Sequence, residues 1–347
     1  MNIALIHYKF ARGGGMEAYL LSLVKGFQSQ GDKVSVYAGN VDRELVKETG
    51  CTVHQVKSLW PRKIREFRFL SYCNTLPFRE QYDLSISLSR TCRADVAICG
   101  GVHRETIKFI RRTALLRGIY DQFEKYYERK MFYSVPFIMA HSSTVADQIL
   151  KHYQIDKNKI KIIYPPIDTD RFFPAERSRV ENMRSSLGIN DKRLTILFVS
   201  CGHHCKGLDQ LLLAFANLDP NRYELLVAGN KIPAYHPVNV RYIGFVNNLA
   251  DVYSAVDFTI LPSHYEAFGL VIPESLQCGT PVIVTKNVGA AELLTEREAV
   301  ILADNRPETI ADAIRRLDGS LKVEPDFAGR HNLSINQHIR EIKNLFS

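Results

Sequence analysis

The chain is predicted to fold as two doubly wound, Rossmann-like α/β domains. Three observations carry that expectation. Its 347 residues exceed what one domain usually holds. It opens with strand, glycine loop, helix and strand in succession, the way doubly wound domains begin. After the adjacent prolines Pro165 and Pro166, the alternation of strands and helices starts again. The expected division is residues 1–165, residues 166–333, and a C-terminal helix, 334–347, returning towards the first domain.

The first strand is the apolar run Ile3–Ile6, followed by Gly13-Gly14-Gly15. Met16–Gln28 then reads as a helix, with Leu20, Leu21, Leu23, Val24 and Phe27 on one face. Gly31 closes it and Lys33–Tyr37 is the next strand. Further strands are expected at Thr52–Gln55, Leu84–Ser87, Val96–Cys99 and Phe137–Ala140. Ser142-Ser143-Thr144 supplies caps for a helix over Ser143–His152. Ile160–Asp168 reads as a connector, because two prolines continue neither ladder nor helix. A charged stretch, Glu176–Arg193, leads into strands at Leu194–Ser200, Tyr223–Ala228, Val240–Ile243, Phe258–Leu261 and Pro281–Thr285. Helices are expected between them at about 208–218, 247–255 and 270–278. Ile335, Ile339, Ile342 and Leu345 form a helical stripe in the tail.

Composition narrows the function. Apolar residues are 46% and charged residues 24%, ordinary for a globular protein and unlike disordered or fibrous chains. Apolar runs such as Thr195–Ser200 and Phe258–Pro262 are far shorter than the roughly 20 residues of a membrane span. MNIALIHYKF lacks a basic start and a small-residue cleavage site, so it reads as a strand of the mature protein. Seven irregularly spaced cysteines fit free thiols in a reducing compartment, hence a cytoplasmic protein. The net charge is +8, unevenly spread. Residues 1–165 carry 26 Lys and Arg against 15 Asp and Glu, and residues 166–347 carry 19 against 22. Pro61–Arg68 holds Arg62, Lys63, Arg65 and Arg68, with Trp60 beside it. Arg104–Lys130 interleaves Arg104, Lys108, Arg111, Arg112, Arg117, Lys125, Arg129 and Lys130 with Phe109, Leu115, Leu116, Ile119, Tyr120 and Phe123, an amphipathic helical pattern. These runs are either a solvated face or a surface for an anionic partner. No nucleic-acid recognition module accompanies them.

Two doubly wound domains facing across a cleft bind ligands at the carboxyl ends of their strands. The densest candidate is LPSHYEAFGLVIPESLQCGTPVIVTKNVGAAE, residues 261–292. Glu266 sits in a loop and Glu274 about one turn inside the following helix. Phe268, Gly269 and Leu270 open that helix, where backbone N–H groups favour an anion. Two carboxylates flanking a phosphate cradle suit a nucleotide sugar. The blander reading is two surface carboxylates favoured by the helix dipole. Gly13–Gly15 is either a phosphate loop or a simple turn. Its spacing is not G-x-G-x-x-G, and no acidic residue closes the second strand near Tyr37-Ala38-Gly39, which argues against a dinucleotide oxidoreductase. His103 reads either as a site residue or as a core histidine, and Lys206 either as a phosphate ligand or as a surface lysine.

The string EAFGLVIPESLQCGTPVI, Glu266 to Ile283, resembles the signature of the retaining GT-B glycosyltransferases with the E-x7-E motif, glycosyltransferase family 4. IIYPPIDTDRF, Ile162 to Phe172, is similar to that family's interdomain segment, and Gly13–Glu17 to its N-terminal glycine loop. The likeness spans essentially the whole chain. Within the family it is most similar to lipopolysaccharide core glucosyltransferases, on the early Gly-Gly loop, the basic aromatic helix Phe123–Phe132 and His152–Gln154. The resemblance implies that Glu266 contacts the donor sugar and Glu274 the ribose. It implies that Phe268, Gly269, Leu270, Gly13 and Gly14 bind diphosphate, Lys206 neutralises it, and His103 lies near the sugar. It implies transfer of a hexose, from a UDP-sugar, without metal or other cofactor. The acceptor would be a glycan or glycolipid, such as lipopolysaccharide core, at the cytoplasmic face of an anionic membrane.

One departure stands out. Where the family carries an arginine near the lysine, this chain has Cys201 and Cys205, in Ser200-Cys-Gly-His-His-Cys-Lys206. Arg12, His203 or His204 are the candidates to replace that charge. Cysteine and histidine also ligate zinc, yet five crowded residues do not supply two separated ligand pairs. The alternative function is a non-catalytic nucleotide-sugar or glycan-binding protein.

Overall fold

The computed structural model describes residues 1–57, 62–109 and 114–346, without the side chains of residues 62–64, 114–117 and 119. The chain divides into two compact units, Met1–Pro166 with Ile335–Ser347, and Ile167–Ser334.

The first unit is built on β1 (Asn2–Ile6), β2 (Lys9–Phe10), β3 (Lys33–Ala38), β4 (Asn40–Val41), β5 (Thr52–Gln55), β6 (Leu84–Ser87), β7 (Val96–Cys99), β8 (Phe137–Ala140) and β9 (Ile160–Ile162). Seven of these form one parallel sheet in the order β5-β3-β1-β6-β7-β8-β9, while β2 pairs with β4. The sequence of β1 has no polar alternation because both its faces are covered. Ile3 and Leu5 point into one buried cluster and Ala4 and Ile6 into another. The helix Gly15–Ser29 covers one face with Leu20, Leu23, Val24 and Phe27. The helix Ile335–Asn344 packs on it through Ile335 and Ile339, which lie against Gly26. Its stripe also contains a buried histidine, His338.

The second unit is built on β10 (Leu194–Ser200), β11 (Tyr223–Gly229), β12 (Val240–Gly244), β13 (Phe258–Leu261), β14 (Val282–Thr285) and β15 (Ala299–Leu302). They form a parallel sheet in the order β12-β11-β10-β13-β14-β15. Both sheets are doubly wound, as expected. Strand β15 and the helix Pro307–Arg315 extend the alternation past the last strand expected from sequence.

Three sequence readings need correction. Ile160–Ile162 is not only connector but the edge strand β9, paired with β8 before the prolines end the ladder. The charged stretch 176–193 contains the helix Arg177–Ser186, held by Arg179 to Asp251 and by Arg184 to Asp191 rather than by an apolar face. Arg104–Lys130 is not one helix. It comprises the short helix His103–Thr106, a 3-10 turn at Ile107–Phe109, and the long helix Ala114–Ser134. That long helix buries the carboxylates Asp121, Glu124 and Glu128 as well as Met131 and Phe132, while Phe123 stands 47% exposed. Trp60, Pro61, Arg111 and Arg112 lie outside the described residues, as do the side chains of Arg62, Lys63, Leu115, Leu116, Arg117 and Ile119.

Candidate active site

Sheet order dictates where the second unit gathers chemistry. From β10 the chain winds outward through β11 and β12, then returns to place β13 on the other side of β10. The loops leaving β10 and β13 flank the crevice at which such sheets bind ligands. They are residues 201–207 and 262–270. Two bonds fasten them together. The His264 N–H donates to the Cys205 carbonyl at 2.9 Å, and the Cys205 thiol donates to the Tyr265 carbonyl at 3.1 Å. Gly207 makes this approach possible: its φ is +81°, and a Cβ there would lie 2.2 Å from the Pro262 carbonyl oxygen.

The fastening brings Lys206 to Glu266. Their charged atoms are 3.9 Å apart, with the side chains 22% and 26% exposed. That is a loose pair, open to a ligand that engages both. The Glu266 loop is tied from its other side. Glu266 N–H donates to Asn287 at 3.2 Å, Gly289 N–H donates to the Glu266 carbonyl at 2.9 Å, and Ala290 N–H donates to the Phe268 carbonyl at 2.7 Å. Among the described residues nothing accepts from the N–H groups of Gly269 and Leu270. Gly269 adopts φ +88°, and a Cβ there would meet Val288 at 2.8 Å. These amides open the helix Val271–Gln277, which carries Glu274 half-buried. Burial raises the Glu274 pKa, opposed by a hydrogen bond from Tyr253 and by the charges of Arg171 and Lys206. The Tyr253 hydroxyl donates to Glu274 Oε2 at 3.1 Å.

Tyr253 and Arg171 were not singled out from the sequence. Tyr253 reads as one more apolar position of a core helix, and Arg171 as one more connector charge. Only packing places them beside Glu274.

The cysteine positions carry no positive charge. Burial, with the Glu266 charge, pushes the Cys205 thiol up to about 11, so it stays protonated. The His203 ring engages the Ser200 hydroxyl at 3.1 Å and the Asn230 carbonyl at 2.9 Å, and His204 lies 3.5 Å from Asp209. Arg12 pairs with Glu48 in the first unit. These side chains turn to separate partners, and among the described residues no three His, Cys, Asp or Glu are grouped to hold a metal ion.

In the first unit, Gly14 caps the helix Gly15–Ser29 with φ −72°, a conformation open to any residue. Among the described residues, a Cβ at Gly13 would touch only Glu17, and one at Gly15 nothing. The glycines keep the start of this helix bare. His103 follows β7 on the same edge of the sheet and is buried, 5% exposed. Its N–H donates to both oxygens of Glu128 at 2.9 and 3.2 Å, and its Nε2 lies 3.4 Å from Asp121. Arg90 reaches Glu124 at 2.5 Å and Glu128 at 3.7 Å, and the Tyr153 hydroxyl donates to Glu128 at 2.6 Å. Burial and Arg90 lower the His103 pKa against the pull of these carboxylates, so the ring is neutral near pH 7. On the outer side, Phe67 of the helix Arg62–Cys73 meets Tyr120 edge-on, Phe123 at a tilt and Tyr127 in a stack. Phe123, Tyr126, Arg129, Lys130 and Tyr133 are exposed there.

The chain is similar to known proteins. The model of the glycosyl transferases group 1 matches residues 179–319, and that of glycosyltransferase family 4 matches residues 13–171. A probable transglycosylase of Burkholderia thailandensis is 30% identical over 355 residues, covering 99% of this chain and 96% of that protein. The crystal structure of WaaG, a glycosyltransferase involved in lipopolysaccharide biosynthesis, superposes with a TM-score of 0.76 at 19% identity, covering 97% of this chain and 93% of that one. HepE of Anabaena, crystallised with UDP and glucose, superposes with a TM-score of 0.78 at 16% identity over all of both chains. The fold is GT-B.

Proposed function

The chain belongs to the group 1 glycosyltransferases of family 4, and from that premise we propose that it is a retaining hexosyltransferase using a UDP-sugar without a metal ion. The observation that carries this reading is the arrangement in the second unit. Lys206 stands beside Glu266, next to the N–H groups of Gly269 and Leu270, with Glu274 one turn beyond. An anion bound there meets a cation and oriented amides, as a departing diphosphate requires. Glu274 accepts from the ribose hydroxyls and Glu266 from the sugar. The acceptor hydroxyl attacks from the face the nucleotide leaves, and the departing phosphate takes its proton, so no carboxylate acts as nucleophile. The family resemblance also implies donor-site parts for Gly13, Gly14 and His103. HepE, of the same fold, was crystallised with UDP and glucose, which favours a uridine donor.

The acceptor in this reading is a glycan or glycolipid at an anionic membrane face. The exposed aromatic and basic residues of Ala114–Ser134, together with exposed Arg65 and Arg68, support it. WaaG, of the same fold, acts in lipopolysaccharide biosynthesis. Among the described residues no helix is long and apolar enough to cross a membrane, so contact would be peripheral. The test is a panel of UDP-, GDP- and ADP-sugars assayed for binding and slow hydrolysis in chelator-treated buffer. One hydrolysed donor, silenced by Glu274→Ala, is the expected result. Binding of none of them would overturn the reading. Sedimentation with anionic but not neutral vesicles, weakening with salt, tests the membrane face.

A further inference from the structure

We propose that Tyr253 is a positioning residue of the donor site: its hydroxyl holds one oxygen of Glu274 and so presents the other to the nucleotide. The inference rests on the donor-site reading of Glu274, but its basis is geometric. Tyr253 lies in the helix Leu249–Ala255 and its side chain is wholly buried. Its carbonyl accepts from the Thr280 hydroxyl at 2.6 Å, at the start of β14. Its ring lies 6.1 Å from that of Phe172. Ring and backbone are therefore fixed before the hydroxyl is considered. A buried phenol takes a hydrogen-bond partner, and here it is Glu274 Oε2 at 3.1 Å. The other oxygen, Oε1, has no hydrogen bond among the described residues. A glutamate near a helix start has several rotamers, and holding one oxygen selects among them.

The bond also governs charge. Burial is the largest influence on Glu274 and favours its protonated form. The hydrogen bond from Tyr253 is the strongest opposing influence, followed by Arg171 and Lys206, while Asp168 works the other way. Cys278, on the turn after Glu274, keeps its proton through burial and the Glu274 charge, at about 12. Removing the hydroxyl therefore raises the Glu274 pKa further, and acceptance from a ribose fails at a higher pH.

The deciding experiment is calorimetric titration of UDP into the whole protein and into Tyr253→Phe, across about pH 5 to pH 8, with donor kinetics alongside. Wild type is expected to lose affinity on the acid side. In Tyr253→Phe that limb should move up by about one pH unit and affinity near neutrality fall about tenfold, with kcat at saturating donor within about twofold. A variant with the wild-type limb and affinity overturns the proposal, as does a loss confined to kcat and thermal stability. Glu274→Gln should lack the acid limb, and adding Tyr253→Phe to it should change nothing more; independent, additive losses overturn the proposal. If Tyr253→Phe fails to fold, Tyr253→Met fills the space and is read against the same outcomes. Wild type that binds no UDP would instead overturn the donor-site reading, and this inference with it.

Discussion

The two units handle charge in opposite ways. In the first, Asp121, Glu124 and Glu128 are buried around His103, each carboxylate side chain at most 9% exposed, and Arg90, itself 28% exposed, reaches in to pair with Glu124 and Glu128. In the second, Lys206 and Glu266 stay about one-quarter exposed and 3.9 Å apart. A buried ionic network is costly unless its members satisfy one another, and removing one strands the rest. A loose, half-exposed pair costs little and remains available to a ligand. The difference separates charge that holds backbone in place from charge left accessible to solvent, as the proposed donor site requires. The glycines repeat the contrast. Gly269 is demanded by its own backbone and by Val288, whereas among the described residues nothing stands where a Cβ at Gly15 would project.

The comparison can be broken most directly at Glu128. Glu128→Ala leaves Arg90, Tyr153 and the His103 N–H without their shared acceptor. The first unit should lose about 3–5 kcal/mol in urea unfolding. Glu128→Gln keeps the shape and should lose clearly less. Equal small losses would mean the network is not structural.

In the second unit, Glu266→Gln removes a charge whose ion pair is the loose one with Lys206. Unfolding should move by less than about 0.5 kcal/mol, donor binding should persist, and turnover should fall about 100-fold to 1000-fold. Unchanged turnover would remove Glu266 from the site.

Alanine at the two glycines sharpens the second contrast. Gly269→Ala should destabilise by about 1–3 kcal/mol and lower donor affinity, because φ +88° and the Val288 contact both oppose a Cβ. Gly15→Ala should leave stability within about 0.5 kcal/mol. If it nonetheless lowers turnover, the space above that helix belongs to substrate.

The smallest effect is on acid stability. His141 and His338 are wholly buried, and burial lowers them from 6.5 to about 4 and about 3. His338 accepts from or donates to the Tyr19 hydroxyl at 2.6 Å, joining the C-terminal helix to Gly15–Ser29. Both rings are neutral when folded and take up protons when unfolded. Their contribution is intact above pH 6.5 and is lost as pH falls towards their folded values. Between pH 7 and pH 6 this amounts to about 0.7 kcal/mol per histidine. Hydrogen exchange should show the first unit loosening before the second as pH falls, and His338→Asn should flatten that trend.

Much of this was legible in the chain. Strands buried on both faces announce themselves as short apolar runs, so β1, β3, β6, β7, β8, β10, β11 and β13 fall where expected. Glu266, Gly269 and Glu274 stand out in the sequence at the loop-to-helix junction where the structure places them, and Gly269 there takes the φ of +88° that favours glycine. Helix Arg177–Ser186 was not, because it is held by arginine pairs and has no apolar stripe. The buried carboxylates Asp121, Glu124 and Glu128 were hidden among lysines and arginines, since periodicity tells which residues share a face but not which face turns inward.

The sequence by itself determined the fold, the family and the string on which the proposed donor site is built, because these depend on local pattern. Only the tertiary structure decided which partners those residues meet. Sheet order brought Lys206 to Glu266 across 59 intervening positions. Packing gave Glu274 the Tyr253 hydroxyl and gave His103 a buried carboxylate neighbour. Those pairings depend on distance through space, and distance through space is set only when the sheets have formed.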